Sequence, residues 1–107
     1  MSRIVYNKLV RDRIPEIIAQ SGKTYGVESM SPEEFERGLL EKLIEEARET
    51  QQADDTQLKT ELADLQEVIE ALLVLKGISR QALRTEQRSR RRERGGFKKR
   101  LKLLWTE

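Results

Sequence analysis

Between Ser31 and Gly77 the chain carries two long runs of apolar residues at helical spacing, with only a short polar turn between them. The first opens with Ser31-Pro32-Glu33-Glu34. That order combines an N-capping hydroxyl, a proline at the first helical position and a glutamate three residues after the cap. Phe35, Leu39, Leu40, Leu43, Ile44 and Ala47 then share one face, and the run lasts to about Gln52. The second run places Leu58, Leu62, Leu65, Ile69, Leu72 and Leu73 on a stripe and reaches Lys76, with Gly77 as its stop. Asp54 or Asp55 in the turn is suited to cap it. So brief a link makes the two helices an antiparallel hairpin, in which the end of the first meets the start of the second.

Those meeting ends are acidic. Glu45-Glu46-Ala47-Arg48-Glu49 closes the first helix, and Glu61-Leu62-Ala63-Asp64 opens the second after an eleven-residue gap. At about 100° per residue, Lys42, Glu46 and Glu49 fall along one border of the apolar face. Glu61 also sits at a border, with Asp64 further round. Acid pairs spaced three apart arise by chance about three times in a chain with 19 acids in 107 residues, so one pair carries no meaning. Two pairs at the joined ends of one hairpin, both near the apolar border, are positioned to gather carboxylates around a hard divalent cation.

The rest of the chain also reads as helix. A first helix is expected to start near Asp12, to take Pro15 in its first turn, to carry Ile14, Ile17 and Ile18 as its stripe and to end at Gly22. A fourth is expected after Ser79, running to Arg94 and broken by Gly95-Gly96. The tail from Phe97 to Trp105 is basic with apolar anchors, which predicts that it docks. Pairing with Ile4-Val5-Tyr6 as short extended segments is an open alternative. The expectation is an all-α, four-helix protein in a single domain, residues 1–107.

Composition narrows the chemistry. There is no cysteine and no histidine, so disulfides, thiolate sites and imidazole bases are excluded. Any metal is then held by oxygen, which favours magnesium, manganese or calcium, and any general base is a carboxylate or a water on the metal. Only 36% of residues are hydrophobic against 37% charged, a lean core that predicts a homodimer or higher homo-oligomer. No apolar run approaches the roughly 20 residues that span a bilayer, and the N-terminus does not read as a secretion signal, so a soluble cytoplasmic protein is expected.

The net charge of +2 hides a division. Residues 28–70 hold 14 acids and 4 bases, whereas residues 80–102 hold 2 acids and 11 bases. That division suits a phosphate ligand held through metal on one side and cations on the other. It equally suits a polar helical surface with a sticky tail.

Two flanking segments each have two readings. Asn7-Lys8-Leu9-Val10-Arg11-Asp12 is either a loop that enters the first helix with Asp12 as cap, or a polar lip whose Asn7, Lys8 and Arg11 reach a phosphate or a base. Arg94-Gly95-Gly96-Phe97 is either a helix stop, with Phe97 packed on the last turn, or a backbone cradle for phosphate beside an arginine. The run from Arg88 to Arg94 invites a nucleic-acid reading, but it has few interleaved aromatics and no groove-reading motif, so that reading is the minority one.

Taken together, Glu45-Glu46-x-x-Glu49 and Glu61-x-x-Asp64 resemble the metal signature of the all-α nucleoside triphosphate pyrophosphohydrolases, the MazG-like enzymes related to phosphoribosyl-ATP pyrophosphohydrolase. The opening Tyr6-Asn7-Lys8-Leu9-Val10-Arg11-Asp12-Arg13-Ile14-Pro15-Glu16 and the closing Arg94-Gly95-Gly96-Phe97 are similar to a small single-domain subgroup of that superfamily. The resemblance implies a MazG-like helical bundle that hydrolyses a nucleoside triphosphate between its α and β phosphates, giving a monophosphate and pyrophosphate. It implies that Glu46, Glu49, Glu61 and Asp64 hold magnesium, which neutralises phosphate charge and acidifies water. Glu45, or a ligand carboxylate itself, would take the proton. Asn7, Lys8, Arg11, Lys42, Arg94 and Gly96 would contact the substrate. A non-catalytic nucleotide-binding module and a basic-tailed nucleic-acid adaptor are the alternatives.

Overall fold

Both long apolar runs are helices. In the computed structural model, which describes residues 2–107, α1 spans Ile14–Gln20, α2 Pro32–Gln52, α3 Leu58–Lys76 and α4 Arg80–Arg94. No strand occurs among the described residues, so the protein is all-α and the termini do not pair as extended segments.

α2 starts where its sequence dictates. The Ser31 hydroxyl accepts from the Glu34 amide at 3.2 Å, and the Glu34 carboxylate accepts from the Ser31 amide at 3.3 Å. Two amides that a helix start leaves orphaned are thereby satisfied. α3 ends at Gly77, whose φ of 67° is left-handed and favours glycine. The Ile78 amide then donates back to the Leu73 carbonyl at 2.9 Å, which closes the helix end. α4 is capped by Ser79, whose hydroxyl accepts from the Ala82 amide at 3.0 Å.

Two caps differ from expectation. Asp12 does not cap α1. The N-cap is Arg13, without a side-chain bond, and the Asp12–Arg13 turn is held instead by the Ile14 amide donating to the Arg11 carbonyl. Asp54 caps a turn before α3 and not the helix itself. Its Oδ1 accepts from the Thr56 amide, the Thr56 hydroxyl and the Gln57 amide, and α3 then begins at Leu58. α3 therefore begins three residues later than a helix capped directly by Asp54 would.

The packing is concentrated in one place. α2 and α3 lie along each other, and no other helix pair among the described residues packs at comparable length. Leu39, Val68 and Leu73 form the buried core of that seam. α1 and α4 bury nothing fully. The tail departs from expectation: Phe97 is 96% exposed, and Leu101, Leu103, Leu104 and Trp105 are exposed too. A chain can dock its tail only if a partnerless apolar face lies within reach, and here α4 carries the tail away from its own hairpin.

Asp54 generates a pH prediction. Its hydrogen bonds, that from the Thr56 hydroxyl foremost, hold its carboxyl below the usual range. Stability from a lowered carboxyl is present above the ordinary aspartate range and disappears as pH falls through the lowered value. The Tm difference between the wild type and Asp54→Ala, followed by circular dichroism, is therefore expected to be largest near neutrality and to shrink in acid. A difference that grows on acidification would contradict the capping role.

Candidate metal centre

The site is built at the joined ends of α2 and α3. One carboxylate oxygen from each of Glu46, Glu61 and Asp64 lies within 4.8 Å of the other two. Glu46 comes from the last third of α2, and Glu61 and Asp64 come one turn apart from the start of α3. Oε2 of Glu46 and Oε2 of Glu61 are both out of contact with water and without a hydrogen-bond partner. A buried carboxylate oxygen with no donor is costly. An oxygen-preferring cation would satisfy both atoms at once, and the donor set is all carboxylate. The residues present therefore fit a hard divalent ion.

The electrostatics describe the same crowding. Burial pushes the Glu46 carboxyl up, and the charges of Glu49 and Asp64 push it further, against the opposing charge of Lys42. The Glu61 carboxyl is raised by desolvation of its inward oxygen, then by the charge of Glu49 and a hydrogen bond to it, then by Asp64. Glu49 thus belongs to the charge cluster, but its own side chain is at the exposed rim and outside the close trio of oxygens.

The N-terminal segment crosses this acidic end. Asn7 takes a left-handed φ of 46°, which asparagine tolerates better than most residues. The chain then runs so that Nζ of Lys8 donates to Oε1 of Glu45 at 3.2 Å and Nη1 of Arg11 donates to Oδ1 of Asp64 at 3.1 Å. Between them Leu9 sits over Gly38 of α2. A Cβ built on Gly38 would meet Cβ of Leu9 at 3.2 Å and the Met30 sulfur at 3.6 Å. Gly38 is therefore the notch that lets this segment lie against α2. Sequence reasoning had passed over it, since a lone glycine inside a helical pattern is the only signal.

Of the two readings of Asn7 to Asp12, the structure contradicts the cap and places Lys8 and Arg11 on the acidic cluster. Glu45 differs from its neighbours. Burial acts to raise it, but the hydrogen bond from Lys8 and the charges of Lys42 and Lys8 outweigh that, so its carboxyl lies below the usual range. Nζ of Lys42 stands 3.7 Å from Oε2 of Glu45, and its side chain is 18% exposed. Arg94 and Gly96 are not brought to the cluster. They lie at the exposed end of α4, because α4 leaves from the end of α3 opposite the turn.

No family model matches this sequence, and no solved structure matches it. A protein of Mycolicibacterium smegmatis described as uncharacterized is 47% identical over 47 residues, which are 44% of this chain. The match spans about half of that protein's length, 48%.

Two predictions follow from this geometry. Glu61→Gln removes one of the crowded charges, so the variant stripped of metal at pH 7 is expected to melt above the wild type in differential scanning fluorimetry. Magnesium should then raise the Tm of the wild type, by ~2.7 kcal/mol of stability at a hundredfold excess over Kd, and leave the variant unchanged. Equal responses would sink the assignment of Glu61. Gly38→Val is expected to push Leu9 off α2 at a cost of about 1–3 kcal/mol. Amide exchange should then quicken across residues 7–12, and unchanged exchange there would show that the notch does not hold the segment.

Proposed function

We propose that the protein is a magnesium-dependent nucleoside triphosphate pyrophosphohydrolase, a cytoplasmic enzyme cleaving between the α and β phosphates. The observation that carries this reading is that one segment lays two cations at the acidic end of the hairpin, Arg11 on Asp64 of the trio Glu46, Glu61 and Asp64, and Lys8 on the adjoining Glu45. A metal-binding carboxylate cluster alone has many uses. Cations laid along its edge by a separate segment add a complement for several phosphate groups in a row. The resemblance of both terminal motifs and of the acid pairs to the MazG-like enzymes supports the same reaction.

Glu46, Glu61 and Asp64 would hold the ion, with Glu49 at the rim as the fourth carboxylate. Magnesium, or manganese in its place, supplies neutralisation of phosphate charge and a lowered pKa of water when bound.

The chain's own residues account for the remaining steps. Lys8 and Arg11 occupy Glu45 and Asp64 in the resting protein, and both ion pairs are solvent-accessible. Exposed pairs of this kind are weak and exchange readily. A triphosphate offers both cations more charge than one carboxylate does, so they move to its oxygens. Release of Lys8 removes the main influence that lowers Glu45 and leaves that carboxylate free to take a proton from water. Lys42 stays beside Glu45 on α2 and stabilises charge on a neighbouring phosphate oxygen. Asn7 takes a left-handed backbone turn just before Lys8 and would add a side-chain amide to the substrate's contacts.

The test is a panel of nucleoside triphosphates with magnesium, assayed separately for pyrophosphate and orthophosphate. Pyrophosphate is the expected product. Glu49→Gln and Asp64→Asn should abolish its release, and Lys8→Ala or Arg11→Ala should lower kcat/KM about 10- to 100-fold, the worth of one charge-assisted hydrogen bond. Release of orthophosphate, or full activity in both carboxylate variants, would overturn the proposal. Thermal stabilisation by nucleotide without turnover would favour a binding module on the same site.

A further inference from the structure

More than half of the chain's bases, 11 of 21, lie in residues 80–102, outside the hairpin. α4 carries seven of them, every one an arginine, beside only two acids, Glu86 and Glu93. The helix sorts these charges by side. At about 100° per residue, Arg80, Arg84, Arg88 and Arg91 fall within an arc of about 80°. Glu86 and Glu93 fall on the opposite side. Ser89, the one residue of α4 that is not fully exposed, lies on that side too, so the arginine row faces outward. Gln81 and Thr85 line an open groove together with Arg80, Arg84 and Arg88. Arg80 pairs with Glu70 of α3, and the other three arginines of the row make no ion pair among the described residues.

A row of unpaired cations with its acids turned away is complementary to an ordered polyanion. Arginine grips phosphate oxygens two at a time, and a hydroxyl and an amide beside it suit the same group. The row from Arg80 to Arg91 is about 16 Å long. That length matches about five phosphates of one strand of a duplex, at about 3.4 Å each, and exceeds what one nucleotide offers. A lipid surface would need apolar side chains among the cations, and the arc has none. A single strand would need aromatic platforms, and α4 has none. A duplex needs neither. The major groove of B-form DNA admits an α-helix, whereas that of A-form RNA is too narrow. α4 is exposed along nearly its whole length and so is free to approach one.

We propose that the outer face of α4 binds the phosphate backbone of duplex DNA. Arg84, Arg88 and Arg91 are the principal contacts, and Gln81 and Thr85 add hydrogen bonds. No ion pair fixes these three arginines in one orientation, as reading a base edge requires, so the contact follows the backbone and is indifferent to sequence. Residues 28–70, with 14 acids and 4 bases, repel the same polyanion and turn the chain so that α4 meets it first. The surface is separate from the acidic cluster and does not depend on the pyrophosphohydrolase reading.

Fluorescence anisotropy of a labelled DNA duplex, titrated with the full chain at several salt concentrations, tests this. Two duplexes of unrelated sequence should bind equally. Between about 50 and 200 mM salt the three unpaired arginines should account for a loss of about 40-fold in affinity. Arg84→Gln with Arg88→Gln and Arg91→Gln should flatten the log–log salt slope by about 2.7, or 0.9 for each arginine. Glutamine is a good helix former and none of the three is buried, so far-UV circular dichroism should not change. Removing the same charge elsewhere, by Lys23→Gln with Arg37→Gln and Lys59→Gln, should leave the slope as it is. No binding at low salt, equal flattening in both triple variants, tighter binding to duplex RNA than to DNA, or binding to vesicles of anionic lipid but not to DNA would each overturn the proposal.

Discussion

Glu46 and Glu61 turn toward each other because they lie on the borders of two apolar faces that must meet. The α2–α3 seam buries Leu39, Val68 and Leu73, and the same rotation that brings those side chains inward carries the border residues to the edge of the seam. Each carboxylate then keeps one oxygen out of water with no donor to satisfy it. The apolar burial along the hairpin supports a local repulsion at one end, and that repulsion defines what can bind there. Hydrophobic packing fixes the acids' positions, while the acids' charge stays unmet by the helices that carry them.

The N-terminal segment is the chain's partial answer to that charge. Its hold on α2 is steric as well as ionic. Leu9 rests in the space that Gly38 leaves empty, so Lys8 and Arg11 arrive on either side of it with a spacing that reaches both Glu45 and Asp64. Neither ion pair is buried, and exposed pairs contribute little to stability. Their value is to keep cations within reach of any polyanion that approaches the cluster. A segment held by one leucine in a notch and two exchangeable ion pairs can shift its charges without unfolding a core.

Much of this was legible in the residues, because its causes are local. The Ser31 cap, the Gly77 stop and the brief turn are decided by neighbours within a few positions, and they suffice to make the hairpin and to align its acids. Asp12 misled because an aspartate ahead of a helix is a good cap only if its backbone is extended, and here a turn at Asp12–Arg13 intervenes. Phe97 misled for a longer-range reason. An aromatic after a helix stop packs back only where an apolar surface faces it, and α4 offers arginines there. The place of Lys8 and Arg11 could not be read from their own segment, since it depends on a glycine some thirty positions away in another helix.

Adjacent residues Glu45 and Glu46 show how one helix separates two kinds of carboxylate. They point about 100° apart. Glu46 looks into the seam, where burial and like charge raise its carboxyl. Glu45 looks along the outer edge, where Lys8 and Lys42 lower it. Both are acids on one turn of α2, yet a cation would be drawn to the first, and the second already has two. The stripe decides which of the two neighbours is inside, and the Lys8 segment then lowers the one left outside. A single-residue slip of α2 about its axis would exchange their environments and leave the lysines facing the buried trio. The register of the α2–α3 packing is therefore what assigns these two residues their different chemistry.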